Sequence, residues 1–452
     1  MNLTELSKRT AKVHIETFGC TANVGDEMKM RAILRNAGHK IVKTREADVV
    51  VVNTCTVTRR TELNVVKRLK ELNRQNKEVV VAGCMAAAQP ELIKSILGED
   101  VTMVTPRDIC NGYSEGQELD FDGVIAVIPI AIGCVGKCSY CIVKRARGEL
   151  RSYATDKICE AVKSAVERGA KEIRITAQDC SAYGWDCFDT PKLPELLKML
   201  TSLEGDFKIR VGMMNPFTAI HILDELLDAF DSEKMFKFFH VPVQSGSDKV
   251  LGDMRRNYKN ADFFEIVKTI RKRFEHSTIC TDFIIAFPTE TEEDFFSSLN
   301  LLETVKPEKV NITRFSPRPG TEASKQKDLL EREKKRRSRI FSAVYHRIAF
   351  AKNKELEGKE APVLVTEKGK KGGVIGRDTS YRHVVIKRDL PLGATCKVRI
   401  MEAKSTYLVG EILKITSSKH QFPNNTKCQN SNVQNNFLLR KNLKNAFKKD
   451  LF

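Results

Sequence analysis

Three cysteines, Cys134, Cys138 and Cys141, stand at C-x3-C-x2-C spacing in the segment IAIGCVGKCSYCIVKRARG. Thiolates are soft ligands suited to iron–sulfur clusters, and spacing this tight lets one loop wrap one cubane. Three protein ligands for four irons leave one iron open to a substrate or cofactor. A structural zinc site instead presents four ligands, usually as two separated pairs, and no second C-x2-C pair follows in this chain. Gly133 and Gly136 supply the backbone freedom that a wrapped loop needs.

A second set is scattered in sequence but equivalent in position. Cys20, Cys55 and Cys84 each close a strand-like run and open a helix-like one, in ETFGCTAN, VVNTCTVT and VVAGCMAA. Consecutive parallel strands would gather all three at one sheet edge, in the crevice where α/β domains bind ligands. Three convergent thiolates again suit a cluster with an open iron; ordinary buried cysteines are the alternative. Asn23 and Asn53 stand beside them, as hydrogen-bond donors or as turn residues. Cys110, Cys159, Cys187, Cys280, Cys396 and Cys428 show no spacing logic.

The surrounding pattern is that of an α/β protein. VHIETF, ADVVVVN and EVVVAG read as parallel strands, with helices over Asp26–Asn36, Arg60–Asn73 and Pro90–Leu97, within a small domain of residues 11–118. NGYSEGQELDFDG marks its boundary. Residues 124–352 restart the alternation with six strands, VIAVIPIAI, KEIRITA, FKIRVGM, KFFHVPV, TICTDFIIAF and KVNITRF. Six βα units in succession predict a (βα)6 partial barrel with its chemistry at the C-terminal strand ends. SPRPGTEA then leads into a long basic helix to about Asn353, with Ile340, Val344 and Ile348 on one face. Residues 356–417 carry five short β-runs, a five-stranded barrel. Residues 418–452 form an Asn- and Lys-rich basic tail in which order is not expected.

Charge and cysteine usage narrow the class. Seventy-six Lys and Arg against 58 Asp and Glu leave a net +18, which favours a polyanionic partner. The opening MNLTELSKRTAK has no apolar core, and no apolar run approaches the ~20 residues of a membrane span. Thirteen cysteines in a chain of this kind point to metal binding in a reducing, cytoplasmic compartment.

The cysteine loop followed by six βα units resembles the radical S-adenosylmethionine superfamily. The N-terminal cysteine set extends the resemblance to its methylthiotransferase branch, carried by TFGCTANVGDE, NTCTV, AGCMA, TAQDCSAYG, RVGMMNP, HVPVQSGSDKVL, TDFIIAFPTETEEDF and FSPRPGT. The C-terminal β-module resembles the RNA-binding TRAM domain. What the resemblance implies is two 4Fe-4S clusters and two uses of S-adenosylmethionine: methyl donation to a sulfur of the auxiliary cluster, and cleavage to a 5′-deoxyadenosyl radical. An electron donor and a sulfur donor are implied with them. Gln178, Arg210, Gln244 and Ser245, by their position at strand ends, are the candidate cofactor contacts, and Tyr140 the neighbour of the adenine. Two positions depart from the family pattern: Thr289, where a Gly is common in an FPGE motif, and Cys180, where Thr is common.

The branch acts on adenosine 37 of tRNA or on a ribosomal protein. Residues 356–417 hold twelve Lys and Arg against seven Asp and Glu, and residues 418–452 seven against one. That charge favours a tRNA anticodon stem-loop, whose unpaired bases reach a deep site without duplex melting. The continuation CIVKRARGELRSY is most similar to the group modifying N6-threonylcarbamoyladenosine, with Lys144, Arg145 and Arg147 as candidates for its carboxylate or for phosphates. Isopentenyladenosine, a ribosomal protein, or tRNA binding without catalysis are the competing expectations.

Overall fold

The computed structural model describes residues 10–113 and 118–417. The expected tail and Cys428 lie outside the described residues. The N-terminal region runs β1 (Lys12–Thr17), α1 (Thr21–Asn36), β2 (Lys40–Ile41), β3 (Val49–Thr54), α2 (Arg59–Arg74), β4 (Glu78–Gly83), α3 (Cys84–Ala88), α4 (Pro90–Leu97), β5 (Thr102–Val104) and α5 (Pro106–Gly112). Its parallel sheet has the order β2-β1-β3-β4-β5. All six residues of β3 are buried because helices cover both faces. Val49 and Val51 pack with Ile33 and Leu34 on one side, and Val50 and Val52 with Val65 and Leu69 on the other. Two short edge strands, β2 and β5, extend the three that the sequence predicts.

The central region continues with β6 (Ile125–Pro129), β7 (Ala131–Ile132), α6 (Val143–Arg147), β8 (Arg151–Ser152), α7 (Thr155–Glu167), β9 (Glu172–Thr176), α8 (Trp185–Phe188), α9 (Leu193–Ser202), β10 (Lys208–Val211), α10 (Pro216–Ala219) and α11 (Leu223–Phe230). It ends with β11 (Phe238–His240), α12 (Asp248–Asp253), α13 (Asn260–Arg273), β12 (Thr278–Ile285), α14 (Glu292–Val305), β13 (Lys309–Arg314) and α15 (Glu331–Lys354). β6, β9 and β10 form one parallel sheet, and β11, β12 and β13 another. The bond from Phe236 N to Ile209 O (2.9 Å) and the bridge Met213↔His240 join them into one curved six-strand wall. This is the predicted partial barrel.

α15 lies where the sequence predicts, but its buried stripe differs at the start. Ile348 is buried as expected and Val344 packs partly buried against the core, but Ile340 is exposed, and Phe341, Tyr345 and Ala349 complete the face turned to the barrel. Phe341 packs on Phe283 with ring centroids 4.7 Å apart. The stripe begins with two buried cations, which apolar periodicity alone does not reveal. Lys334 donates to Phe315 O (3.0 Å), and Arg337 to the carboxylate of Glu290 (2.7 Å).

The C-terminal strands β14 (Glu360–Lys368), β15 (Val374–Arg377), β16 (His383–Ile386), β17 (Thr395–Ala403) and β18 (Leu408–Ser417) close into a barrel of order β14-β15-β16-β18-β17. The module is seated on the central wall. Phe236, Phe238 and Cys280 share a buried cluster with its Leu364 and, partly buried, Tyr381. Among the described residues, no helix is long and apolar enough to cross a membrane.

Candidate active site

The cysteine loop is fastened at several points. Gly133 has φ +82°, and a Cβ there would lie 1.9 Å from Glu149 O, so no other residue fits. Its N–H donates to Gln178 Oε1 (2.7 Å), and Cys134 N–H to Gly148 O (3.1 Å). Further on, Ser139 donates its N–H to Met254 O (3.0 Å) and its hydroxyl to Asp253 O (2.8 Å). Thr289 donates its hydroxyl to the Asp253 carboxylate, so this departure from the family pattern helps hold the loop's far anchor.

The loop fits a cluster. A Cβ on Gly136 would come into contact with two of the thiols, 3.4 Å from Cys134 Sγ and 3.6 Å from Cys138 Sγ. Burial pushes the Cys134 thiol up to about 12, with Asp179 and the other two thiolates adding to the shift. Burial also raises Cys141. Thiols so placed lose their protons only when a cationic metal centre compensates the charge. A single tetrahedral ion with bonds of about 2.3 Å needs its sulfurs about 3.8 Å apart. Among the described residues no three His, Cys, Asp or Glu converge in that way.

Cys20, Cys55 and Cys84 follow β1, β3 and β4, and the registers Thr17↔Asn53 and Thr54↔Gly83 bring them to one sheet edge. Gly19, at φ +125°, lets the first turn pass so close that a Cβ would lie 2.5 Å from Cys55 Cβ. Asn23 and Asn53 are both fully buried and bind these turns together. Asn23 Nδ2 donates to Thr54 O (2.9 Å), and Asn53 Nδ2 to Asn23 O (2.7 Å) and Thr17 Oγ1 (3.2 Å). The Cys20 thiol donates to Asn23 Oδ1 (3.4 Å). Burial pushes Cys55 up to about 12, with Cys20 and Cys84 adding to it, and raises Cys84 against the opposing charge of Arg147.

The two sets meet. Cys84 and Ala88 of α3 pack against Ile142 and Ala146, at the helix that directly follows the C-x3-C-x2-C loop. Arg147 on the same helix pairs with Asp26 of α1. From the loop after β13, Arg318 donates to Thr56 O (3.2 Å), next to Cys55, and to Glu62 (2.7 Å). Arg147 is therefore a buried structural cation rather than a substrate-facing one. Lys144 pairs with Glu149 (2.7 Å), and exposed Arg145 has its guanidinium beside Gly320.

The proposed cofactor contacts divide. Tyr140 sits in the loop with its ring 6.4 Å from that of Phe287, edge-on. Gln178 grips the loop's start. Gln244 and Ser245 are buried past the end of β11, where Gln244, at φ +69°, exchanges backbone hydrogen bonds with Asp282 and Ile284. Arg210 is the last but one residue of β10, its guanidinium 5.0 Å from the Phe238 ring and 5.8 Å from that of Tyr381 on the β-module. Two residues that sequence reasoning missed stand closer to the cysteines. Arg256 donates to Cys138 Sγ (3.2 Å) and Asn215 Oδ1 (3.0 Å). Asp179, 1% exposed, accepts from Asn215 N–H (3.1 Å), Ser181 N–H (3.1 Å) and the Thr218 hydroxyl (2.8 Å), tying two strand-end loops together. Cys180 is buried against Gly212, as a small packing residue.

Three family profiles match in series: the uncharacterized protein family UPF0004 over residues 12–105, the radical SAM superfamily over 128–302, and the TRAM domain over 354–413. A probable threonylcarbamoyladenosine tRNA methylthiotransferase of Archaeoglobus fulgidus is 39% identical over 421 residues, 89% of this chain and 98% of the relative. The threonylcarbamoyladenosine tRNA methylthiotransferase of Drosophila melanogaster is 34% identical over 456 residues, 94% of this chain and 82% of the relative. The chain belongs to this methylthiotransferase family. It is a radical S-adenosylmethionine enzyme, with an iron–sulfur cluster and S-adenosylmethionine as its cofactors. Among solved structures, the radical S-adenosylmethionine methyltransferase TsrM of Kitasatospora setae shares the fold, with a TM-score of 0.53 at 12% identity, covering 70% of this chain and 77% of that one.

Proposed function

We propose that this methylthiotransferase converts N6-threonylcarbamoyladenosine at position 37 of tRNA to its 2-methylthio derivative. Cys134, Cys138 and Cys141 hold one 4Fe-4S cluster and Cys20, Cys55 and Cys84 a second. Bound there, the cofactors supply radical hydrogen abstraction and the sulfur that is transferred. The observation that carries this reading is the packing of Cys84 and Ala88 on Ile142 and Ala146, which puts both cysteine sets at one junction.

Each residue has a physical task. Gln178 and Ser139 fix the two ends of the cysteine loop, Tyr140 borders the cofactor, and Gln244 and Ser245 line the far strand ends. Burial of Cys55 and Cys84 keeps water from the transferred sulfur. The basic β-module, seated against the central wall, serves the anticodon stem-loop backbone. The functional division is residues 11–118 for the auxiliary cluster, 124–352 for radical chemistry and 356–417 for RNA. The setting is the cytoplasm, with an electron donor and a sulfur donor as further partners.

The deciding experiment is the iron and sulfide content of anaerobically reconstituted protein, wild type beside a Cys134/Cys138/Cys141→Ala variant. About eight irons falling to about four is expected for two cubanes. About four falling to none would leave Cys20, Cys55 and Cys84 without a cluster and overturn the reading.

A further inference from the structure

Side chains alternate along the central strands. Ile173 and Ile175 of β9, Ile209 and Val211 of β10, and Val310 and Ile312 of β13 pack into the core under the outer helices. Arg174, Arg210 and Lys309 therefore point the other way, into the lumen of the partial barrel. Arg174 and Arg210 lie side by side in register. The β-module meets the wall at the strand starts, where Lys237 N–H donates to Thr379 O (2.8 Å), and it adds Tyr381 and Arg377, 5% exposed, to the floor of the lumen.

The cations of this floor outnumber their partners. Glu172 pairs with Arg174 (2.6 Å) and Glu367 with Arg377 (2.5 Å). Arg210 and Lys309 have no carboxylate partner among the described residues. Both lie over the Phe238 ring, 5.0 and 6.0 Å from its centroid. The Arg210 Nε is buried without a hydrogen-bond partner, as is that of Arg377. His383 registers the field: burial, then Arg377, Lys309 and Arg174, pushes its imidazole down to about 3. One layer nearer the strand C-terminal ends, His240 and Asn311 both bind Asp282 (2.8 and 2.7 Å) and continue the polar lining.

We propose that Arg210 and Lys309 bind the carboxylate of the N6-threonylcarbamoyl group and so distinguish its nucleoside from adenosines with an uncharged substituent. This assignment rests on that nucleoside being the substrate. Two cations near the cysteine loop are already committed, Lys144 to Glu149 and Arg147 to Asp26. A base entering from the strand C-terminal ends leads with its edge and the group that hangs from it, while its ribose and phosphates stay outside. The carboxylate at the far end of that group then meets Arg210, whose guanidinium is held against Phe238 and Tyr381 and offers a fork of donors to two oxygens. An uncharged substituent leaves the same guanidinium desolvated and unpaired, which costs binding.

The test uses the full reconstituted chain and two anticodon stem-loop RNAs that differ in one group. One carries threonylcarbamoyladenosine with its free carboxylate, the other the same nucleoside as its primary carboxamide. Kd is measured by calorimetry, and methylthio transfer by mass spectrometry of digested nucleosides. The wild type should bind the carboxylate RNA about tenfold or more tighter than the carboxamide RNA. Arg210→Gln should bring the two Kd values together, and Arg210→Lys should keep most of the difference. Lys309 is exposed, so Lys309→Gln should fold normally and shrink the same ratio. A wild-type ratio in both Gln variants would overturn the proposal. An equal weakening of both RNAs would assign the two cations to backbone phosphates and overturn it as well. Equal wild-type Kd values with methylthio transfer to the carboxylate RNA would do the same and leave the substrate reading standing. A wild type that modifies neither RNA but accepts isopentenyladenosine would sink the substrate reading itself.

Discussion

Arg147, on the helix after the cysteine loop, and Asp26, on the helix after Cys20, pair with each side chain only 4% exposed. The pair bolts the two cysteine-bearing regions together. Removing one partner strands the other charge in a low-dielectric interior. Asp26→Ala should therefore cost about 3–5 kcal/mol of stability, read as a lowered urea midpoint. A midpoint within error of the wild type would show that water reaches this junction.

Gly136 stands beside two thiols, and a methyl group there would touch both and limit how far they can move towards a shared centre. Gly136→Ala should preserve the far-ultraviolet circular dichroism and lose about four of about eight irons on reconstitution. Full iron content in this variant would show that the loop has room to spare.

The separate attachment of the two cysteine sets predicts separable defects. Cys138→Ala should abolish S-adenosylmethionine cleavage. Cys55→Ala should leave cleavage measurable while tRNA gains no methylthio group, checked by mass spectrometry of digested nucleosides. Loss of both activities from Cys55→Ala in folded protein would contradict separate roles.

His383, on the β-module, gives a pH signature far from the cysteines. Burial, with Arg377, Lys309 and Arg174 nearby, pushes its imidazole down to about 3. The unfolded chain takes up this proton near the ordinary value of about 6.5, the folded protein not until far lower. The imidazole's contribution is thus complete above pH 6.5 and shrinks as pH falls towards 3. His383→Gln should melt with a shallower dependence between pH 7 and pH 4.5 than the wild type. Parallel curves would mean that the imidazole charges freely in the folded protein.

Much of this architecture is legible in the sequence because it rests on local signals. Short, largely continuous apolar runs give the strands of both parallel sheets, and the turn position of Cys20, Cys55 and Cys84 follows from strand order. What is not legible depends on distant partners. Arg256 reaches Cys138 across 118 positions, and the MRRNY segment has no spacing that singles it out. Arg147 reads as a free cation until Asp26, 121 positions earlier, is seen beneath it. The sequence likewise does not reveal that Tyr381 of the β-module offers its ring to the Arg210 guanidinium. The start of the α15 stripe is misread at Ile340 because Lys334 and Arg337 belong to its buried side, and only their partners explain why.

The seat of the β-module has a consequence for inheritance. Phe236 and Phe238 from the barrel and Leu364 and Tyr381 from the module form one apolar cluster. Tyr381 also hydrogen-bonds Glu172 at the start of β9. A chain cut before the module would present those two phenylalanines to water and leave a fully buried carboxylate with Arg174 but without the Tyr381 hydroxyl. The β-module and the barrel thus cannot be exchanged as cassettes. A recombination that swaps one must also carry the matching half of their shared seam.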